Sequence, residues 1–426
     1  MKKRHLIIGA GNAGLSAALT IARLKPDDEV EIISHEPWPP YCRCLLTYFL
    51  EGVISQERLF ARGEGLFKEK RFIYRQNEKI INVDAKNLTV DCENGRQTRA
   101  DTILIATGGE PQKPAFPGAE LPGIYTLRTF NDALTMAKRI RPGGRWAVAG
   151  AGLVSLKTIA ALHRHGINID LFATSGRILS QVLDPYAAQM AAARLSDNQI
   201  AIHVNEDIIA ATETPNNQLL LTSNRGRELL VDGLLYGKGV NAVSLATNNQ
   251  ISRDDWGAAQ SRAPQPWQES QEGLPVNSKL ELSENLFAAG DTARIFDLVR
   301  KETDRLPLWP LAGEQGVIAG HNMANANRNN SGPARNYSGG ISCNAFSIFG
   351  LDFISAGYRE IPSQVSDWHS LEQKKDGSYS RLNFYRNQLK GFILCESSRT
   401  STGNIRKSGP LLARIKREAL GGRITF

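Results

Sequence analysis

Two segments of this 426-residue chain share one local pattern, in which an apolar strand runs into a glycine-rich turn that opens an Ala- and Leu-rich helix. The turns span residues 9–14 and 150–155, and helices are predicted over 15–24 and 156–165. A further apolar strand follows each helix. A strand–turn–helix–strand unit of this kind binds nucleotides through its turn. Because the unit occurs twice, we predict an α/β protein with two Rossmann-like dinucleotide-binding domains.

The first turn has the spacing that a bound pyrophosphate requires. Gly9 permits the tight turn, Gly11 lets the backbone approach the pyrophosphate, and Gly14 lets the helix pack closely on the strand. The helix N-terminus then faces the negative charge. Glu36 follows Gly14 by 22 residues, at the end of the next strand, where an acid accepts hydrogen bonds from ribose hydroxyls. The predicted site in the turn comprises Gly9, Gly11, Asn12, Ala13 and Gly14.

The second turn keeps two of the three glycines, Gly150 and Gly152. Ser155 stands at the third place, where a small side chain can still pack between helix and strand. We predict a second dinucleotide site here, completed by Leu153 and Val154.

Composition excludes several classes of protein. No run of eighteen uncharged apolar residues occurs, so we expect no membrane span and a cytoplasmic location. Five scattered cysteines without a C-x-x-C pair favour a reducing compartment and predict no metal or iron–sulfur site.

The net charge of +8 arises largely near the end of the chain, between Arg406 and Arg423. Because aromatics are not interleaved there, we expect no nucleic acid, and the cations form either a solvated face or a docking surface for an acidic protein.

Proline-rich and polar segments indicate where the chain passes between domains. Residues 111–122 contain four prolines and mark one crossing, and residues 237–241 mark the return. Residues 252–272 are polar and are predicted to form a surface insertion, and a polar linker begins near residue 327. We therefore predict a discontinuous first domain of residues 1–115 and 245–326, a second domain of residues 116–244 inserted in it, and a small C-terminal α+β domain of residues 327–426.

Four motifs occur in the order in which a known family has them. They are the first glycine turn, the strand end Ala106-Thr107-Gly108, the second glycine turn and the sequence Ala-Ala-Gly-Asp at residues 288–291. On these motifs the first 325 residues resemble the FAD-dependent pyridine nucleotide–disulfide oxidoreductase superfamily. Residues 40–46, 309–316 and 337–341 are similar to its nitrite-reductase-like and rubredoxin-reductase-like branch.

The resemblance implies FAD in the first domain and NAD(P)H in the second. It implies that Asp291 accepts a hydrogen bond from a ribityl hydroxyl, and that a helix beginning near Leu311 points its N-terminus at the flavin pyrimidine ring. Glu314 and Gln315 lie in the first turn of that helix, either beside the flavin or as ordinary helix residues. The other FAD-binding residues that the resemblance implies are Arg43, Ala106, Thr107, Gly108 and Gly290.

The preference between NADH and NADPH stays open. Members of the family that prefer NADH have an acid at the end of the second strand of the NAD(P) unit, whereas this chain has Ala173 followed by Thr174 and Ser175. Arg177 lies just beyond and could meet a 2′-phosphate, although an arginine there also occurs in relatives that use NADH.

Cys44 has two interpretations. It precedes Gly52 by eight residues, a spacing that resembles the single redox cysteine of NADH peroxidases, NADH oxidases and coenzyme A–disulfide reductases. A thiolate there would attack a peroxide or disulfide, and Arg43 would lower its pKa. The surrounding sequence instead resembles the electron-transferring branch, where Cys44 only packs near the flavin. We expect no bond between Cys42 and Cys44, because residues i and i+2 on a helix point to different faces.

These features lead to two hypotheses about function. In the first, the protein moves electrons between NAD(P)H and an iron-containing partner, in either direction, as a reductase of an acidic iron–sulfur protein or as the flavin subunit of a larger complex. In the second, it reduces a peroxide, a disulfide or coenzyme A–disulfide by itself through Cys44. A third, weaker alternative is a flavin-bearing structural or sensory subunit without turnover.

Overall fold

The computed structural model describes residues 2–60, 65, 72–243, 245–247, 273–326, 333–362, 365–375, 377–397 and 405–421. The predicted surface insertion at residues 252–272 lies outside the described residues, as do residues 327–332 at the start of the predicted linker and Arg423.

The first glycine turn belongs to a six-stranded sheet whose central strands are almost wholly buried. Neighbouring strands are parallel, except that the strand at one edge is antiparallel. The turn connects the strand Arg4–Ile8 to the helix Asn12–Leu24. In spatial order the strands are Glu281–Ser283, Leu286–Ala288, Thr102–Ile105, Arg4–Ile8, Glu29–Ile33 and Ile73–Arg75.

The second glycine turn belongs to a separate five-stranded parallel sheet. It connects the strand Arg145–Ala149 to the helix Leu153–Arg164. The helices Phe130–Ala137 and Pro185–Asp197 lie in the same stretch of chain. In spatial order the strands are Ala201–Val204, Asn168–Ala173, Arg145–Ala149, Gly233–Tyr236 and Ile124–Tyr125. Two sheets of largely parallel strands connected by helices confirm the predicted α/β fold class.

Both turn helices begin three residues earlier than predicted, at Asn12 and Leu153. The prediction relied on where the apolar pattern begins, but the helical backbone begins directly after Gly11 and Gly152, which lie at the N-cap in extended conformations. The second half of each turn is therefore already the first turn of the helix.

Small sheets surround the two large ones. The two predicted crossings lie side by side, because Gly109–Pro111 pairs antiparallel with Val240–Ala242. A four-stranded sheet consists of Ala246–Thr247, Ile80–Asp84, Thr89–Cys92 and Gln97–Arg99. One three-stranded sheet consists of Ile208–Glu213, Leu219–Ser223 and Glu228–Val231, and another of Leu274–Pro275, Ala293–Phe296 and Thr303–Asp304.

The C-terminal part is an antiparallel sheet covered on one side by a helix. The helix Ser408–Ala419 packs on this sheet through buried Ile415. The strands in spatial order are Cys343–Ile348, Leu351–Gly357, Gln388–Ser397, Ser378–Tyr385 and Trp368–Lys375. A β-rich α+β unit at this end agrees with the predicted fold class.

A buried polar cluster ties the C-terminal sheet to the helix Pro185–Asp197. Asp184 is fully buried, and one of its carboxylate oxygens caps that helix by accepting from the Ala187 amide at 2.9 Å. The other oxygen accepts from the Tyr379 hydroxyl at 2.6 Å and from Arg381 at 3.2 Å, both in the C-terminal sheet.

None of the described helices has both the length and the apolar composition that a membrane span needs.

Candidate functional site

The first glycine turn presents an open helix N-terminus. At Gly9, where φ is +111°, a Cβ would overlap the carbonyl oxygen of Ala106, and at Gly14 it would overlap the carbonyl oxygen of Gly9. Around Gly11, in contrast, nothing lies within 4 Å of where a Cβ would stand, and no side chain caps the helix. Backbone amides at the start of a helix bind anions, so the space beside Gly11 suits a pyrophosphate.

This turn opens onto a cavity of about 600 Å³. Arg128 and Trp309, which were not predicted, also line it. The predicted site residues that the structure brings together around the cavity are Gly9, Gly11, Asn12, Ala13, Glu36, Arg43, Cys44, Ala106, Thr107, Gly108, Gly290 and Asp291.

Glu36 lies where a ribose-binding acid is expected, but protein side chains already hold it. Its Oε1 accepts a hydrogen bond from Arg43 at 2.6 Å, and its Oε2 accepts from the Tyr41 hydroxyl at 2.6 Å. Burial raises the pKa of Tyr41, so its hydroxyl stays protonated and donates. Because each carboxylate oxygen accepts two hydrogen bonds, Glu36 keeps acceptor capacity for a ligand hydroxyl. The hydrogen bonds from Arg43 and Tyr41 thus orient the Glu36 carboxylate.

Asp291 forms an ion pair that sequence reasoning missed. It follows Gly290, which has φ +85°, and its Oδ2 accepts from Arg128 at 2.7 Å. Arg128 Nε is buried without a hydrogen-bond partner. A buried donor without a partner beside a cavity indicates room for an acceptor atom of a ligand. Together with the open N-terminus at Gly11, this unpaired donor fits a large anionic dinucleotide such as FAD.

The helix Trp309–Asn325 also begins at the cavity. Trp309 and Ala312 line the cavity, and the Trp309 carbonyl accepts a hydrogen bond from the Asn12 amide at 2.6 Å. Glu314 is exposed and does not line the cavity. Gln315 is buried, and its Oε1 accepts from the Gly290 amide at 2.8 Å. Gln315 therefore supports the loop that carries Asp291.

The second turn also presents an open helix N-terminus, and a glycine elsewhere in the chain compensates for its missing third glycine. Gly152 again lies at an uncapped N-terminus with open space around it, Leu153 is half-buried, and Val154 is exposed. Ser155, in place of the third glycine, is buried against Gly237, where a Cβ would overlap the Ser155 hydroxyl. Gly237, directly after the strand Gly233–Tyr236, thus makes room for the serine.

The strand before Thr174 and Ser175 ends without an acid, at buried Ala173. The Arg177 guanidinium, which could have met a 2′-phosphate, forms an ion pair with Glu360 of the C-terminal part. A 2′-phosphate at this place would therefore compete with Glu360 for the guanidinium.

Cys42 and Cys44 lie at the start of a short 3₁₀ helix. Cys42 lies outside the 3₁₀ helix Arg43–Leu45, in extended conformation, and its thiol is hydrogen-bonded to Cys44. Cys42 therefore precedes the helix, whereas the sequence-based reasoning placed both cysteines on one helix. The pKa of Cys44 is lowered to about 6, first by the hydrogen bond from Cys42 and then by the charges of Lys157 and Arg128. Arg43 is not the cause, because its charge faces Glu36.

Comparison with known proteins identifies what the chain is similar to. The family model described as "Pyridine nucleotide-disulphide oxidoreductase" matches residues 3–316. An "NADH oxidase" of Methanocaldococcus jannaschii is 27% identical over 330 residues, covering 75% of this chain and 70% of that protein.

Two further relatives match over more of the chain. "NADH-dependent phenylglyoxylate dehydrogenase subunit epsilon" of Aromatoleum evansii is 26% identical over 383 residues, covering 89% of this chain and 85% of that protein. "Assimilatory nitrate reductase electron transfer subunit" of Bacillus subtilis is 24% identical over 407 residues, covering 94% of this chain and 48% of that protein. Among solved structures, the water-forming NADH oxidase of Lactobacillus brevis shares the fold, with a TM-score of 0.81 at 18% identity, covering 98% of this chain and 91% of that one.

Proposed function

Because the chain belongs to the pyridine nucleotide-disulphide oxidoreductase family, we propose that it transfers electrons between NAD(P)H and an iron–sulfur protein, as a reductase or as the flavin subunit of a larger complex. It is an oxidoreductase whose cofactors are FAD and NAD(P)H. FAD, when bound, exchanges two electrons with the nicotinamide and can release them singly, which an iron–sulfur acceptor requires.

The extent of the similarity carries this proposal. The match to the NADH oxidase covers 75% of the chain, whereas the matches to the dehydrogenase subunit and the electron transfer subunit cover 89% and 94%. The longer matches extend past residue 326 into the C-terminal part, since 94% of the chain cannot be covered without it. Both longer matches are to proteins named as subunits, which favours transfer of electrons to a partner protein.

The proposed work of the cavity residues follows from their chemistry. The amides after Gly11 would hold the FAD pyrophosphate, and Glu36 would accept from the adenosine ribose. Asp291, oriented by Arg128, would accept from the ribityl chain, and the amides after Gly152 would hold the nicotinamide nucleotide.

We also propose the division of the chain into three domains: residues 1–115 with 245–326, residues 116–244 and residues 327–426. It is supported by the six-stranded sheet, which takes strands from both parts of the first unit, while the five-stranded sheet takes none from outside 124–236.

A second candidate function is favoured by the placement of Cys44. Its thiol lines the cavity, and its pKa of about 6 makes it a thiolate at neutral pH. A thiolate beside the flavin site could reduce a small disulfide, a peroxide or coenzyme A–disulfide without a protein partner.

Cys44→Ser separates the two functions. If electrons pass from the flavin to a protein, the variant should reduce an acidic [2Fe–2S] ferredoxin with NADH or NADPH at a rate within a few-fold of wild type, because hydride transfer needs no thiol. If Cys44 is the outlet, turnover of disulfides and peroxides should disappear. Stopped-flow absorbance of the flavin and of the ferredoxin measures both. Wild-type enzyme that turns over disulfides but never reduces an iron–sulfur protein would contradict the first proposal.

The partner surface we propose lies at the end of the C-terminal helix. We call Lys301, Lys390, Lys416 and Arg417 the basic face. Lys301 donates to the carbonyl of Ala419 at 2.7 Å, and Lys416 and Arg417 are exposed. Burial and the charge of Lys301 lower the pKa of Lys390, so like charges are crowded here. Arg414 is not part of the face, because Glu418 and the Phe384 ring hold it.

Reversing both exposed charges of the helix, Lys416→Glu with Arg417→Glu, should slow electron transfer to an acidic ferredoxin about tenfold, because electrostatic complementarity acts mainly on the association rate. Wild-type transfer should slow as the salt rises from 0.01 to 0.1 M, where the Debye length falls from roughly 30 to roughly 10 Å. The matched control is Lys138→Glu with Arg225→Glu, two exposed cations of residues 116–244. Equal transfer rates for both double variants would show that the basic face does not bind the acidic partner.

A further inference from the structure

The loop that follows the strand Asn168–Ala173 lies against the second glycine turn. The Leu179 amide, in this loop, donates to the carbonyl of Ala151 in the turn at 2.9 Å. Arg177 belongs to the same loop, and its carbonyl accepts from the Ser175 hydroxyl at 2.7 Å. The backbone of Arg177 is therefore held beside the turn that would bind the nicotinamide nucleotide.

The end of this strand is the place where a dinucleotide-binding unit distinguishes its two nucleotides. An acid there accepts from the ribose 2′-hydroxyl of NADH, whereas a nearby arginine accommodates the 2′-phosphate of NADPH. The strand of this chain ends at buried Ala173. The Glu206 amide donates to the Ala173 carbonyl, but the buried Glu206 carboxylate already accepts from Ser223 at 2.6 Å and from Arg227 at 3.0 Å. Neither residue supplies a free carboxylate at the strand end.

A carboxylate reaches the loop from the C-terminal part. Exposed Glu360 forms an ion pair with the half-buried Arg177 guanidinium. Glu360 follows the strand Leu351–Gly357, and the backbone between them is anchored, because the Tyr358 carbonyl accepts from fully buried Asn383 at 2.8 Å. The sheet of the C-terminal part thus holds Glu360 over the loop.

The Arg177 guanidinium retains capacity for a second acceptor. Its Nε is buried and has no hydrogen-bond partner among the described residues. A guanidinium binds a phosphate through two of its N–H groups, so Glu360 and a phosphate would compete for Arg177. Further positive charge lies close by, since burial and the charge of Arg300 lower the pKa of Arg359, and the charge of Arg177 lowers it further.

We propose that Glu360 is a specificity-determining residue, which disfavours the 2′-phosphate of NADPH by its ion pair with Arg177 and so makes the protein prefer NADH. A 2′-phosphate would meet the charge of Glu360 and would have to displace it from the guanidinium, whereas the uncharged ribose of NADH would not. The C-terminal part thus supplies the carboxylate that the strand end lacks. The inference rests on the proposed nucleotide site at Gly152 and adds which nucleotide this site takes.

The test compares two probes that differ only in the 2′-phosphate, adenosine 5′-monophosphate and adenosine 2′,5′-bisphosphate. Calorimetric titration uses the FAD-loaded full chain, so that the first site is filled and the probes report on the second. Wild type should bind the monophosphate about tenfold more tightly. Glu360→Gln should shift the ratio of the two Kd values about tenfold toward the bisphosphate, because Arg177 is then free to bind the phosphate.

Three further variants separate the ion pair from other causes. Glu360→Asp keeps the charge and should stay within a few-fold of the wild-type ratio. Arg177→Gln combined with Glu360→Gln should lose the gain, because the gain requires the guanidinium. The matched control is Asp367→Asn, which removes the carboxylate from another exposed arginine pair of the C-terminal part, with Arg386, and should leave the ratio unchanged. Exposed ion pairs contribute little to stability, so these variants should fold.

Flavin reduction gives a second measurement of the same preference. In stopped-flow absorbance, the ratio of the rates with NADPH and NADH at low nucleotide concentration should rise about tenfold in Glu360→Gln, in parallel with the Kd ratio. An unchanged ratio in this variant, or a wild type that already prefers the bisphosphate, would overturn the inference. Wild type that binds neither probe and is reduced by neither nucleotide would overturn the nucleotide site together with it.

Reduction of a [2Fe–2S] ferredoxin tests the proposed function separately. If the Kd ratio shifts in Glu360→Gln and the wild type reduces no ferredoxin, the role of Glu360 stands and the proposed function fails. If ferredoxin is reduced and the Kd ratio does not move, only the role of Glu360 fails.

Discussion

Gly11→Ala should produce a folded protein that no longer retains FAD. Nothing lies within 4 Å of the new methyl group, so the fold tolerates it. The methyl group would instead occupy the path of the pyrophosphate and displace it from the helix N-terminus. Losing two charge-assisted hydrogen bonds of about 1.5 kcal/mol each weakens binding about 100-fold. Flavin absorbance after gel filtration and titration of the apoprotein with FAD measure the effect.

Gly152→Ala is the matched variant in the second turn, since Gly152 has the same extended conformation and the same open space. It should keep its FAD and raise the KM for NADH or NADPH about tenfold or more, for the same steric reason. Gly409→Ala, another glycine with nothing around its Cβ position, should change neither property. Gly11→Ala protein that binds FAD like wild type would place the cofactor elsewhere.

Asp184→Ala should destabilise the protein by about 3 kcal/mol, because removing one partner of a buried ion pair leaves the other uncompensated. The variant loses the cap on the Ala187 amide and leaves Tyr379 and Arg381 without their shared acceptor. Urea unfolding followed by the fluorescence of the tryptophans measures the change.

Tyr379→Phe is the control for Asp184→Ala, because it removes one hydrogen bond and keeps the arginine pair, at a cost of about 1 kcal/mol. If the two variants were equally stable, the cluster would not tie the C-terminal sheet to the helix Pro185–Asp197 in an energetically significant way.

Some of the candidate site could be read from local sequence. The roles of Gly9, Gly11 and Gly14 depend largely on backbone conformation. A Cβ at Gly9 or Gly14 would overlap backbone atoms, whereas the space beside Gly11 is open. Local reasoning was less successful where a residue's surroundings come from elsewhere. Gln315 was expected to lie beside the flavin or to be an ordinary helix residue, and the structure shows that it accepts a hydrogen bond from the Gly290 amide.

The sequence by itself determined the α/β class and the positions of the two glycine turns, because a strand, a glycine turn and a helix are encoded by neighbouring residues. Only the tertiary structure decided that Arg128 meets Asp291, 163 positions away, and that Gly237 makes room for Ser155. It also decided that Cys42 lies before the helix Arg43–Leu45 and not on it. Such pairings arise when distant segments pack together, and a single sequence has no local pattern that reports on that packing.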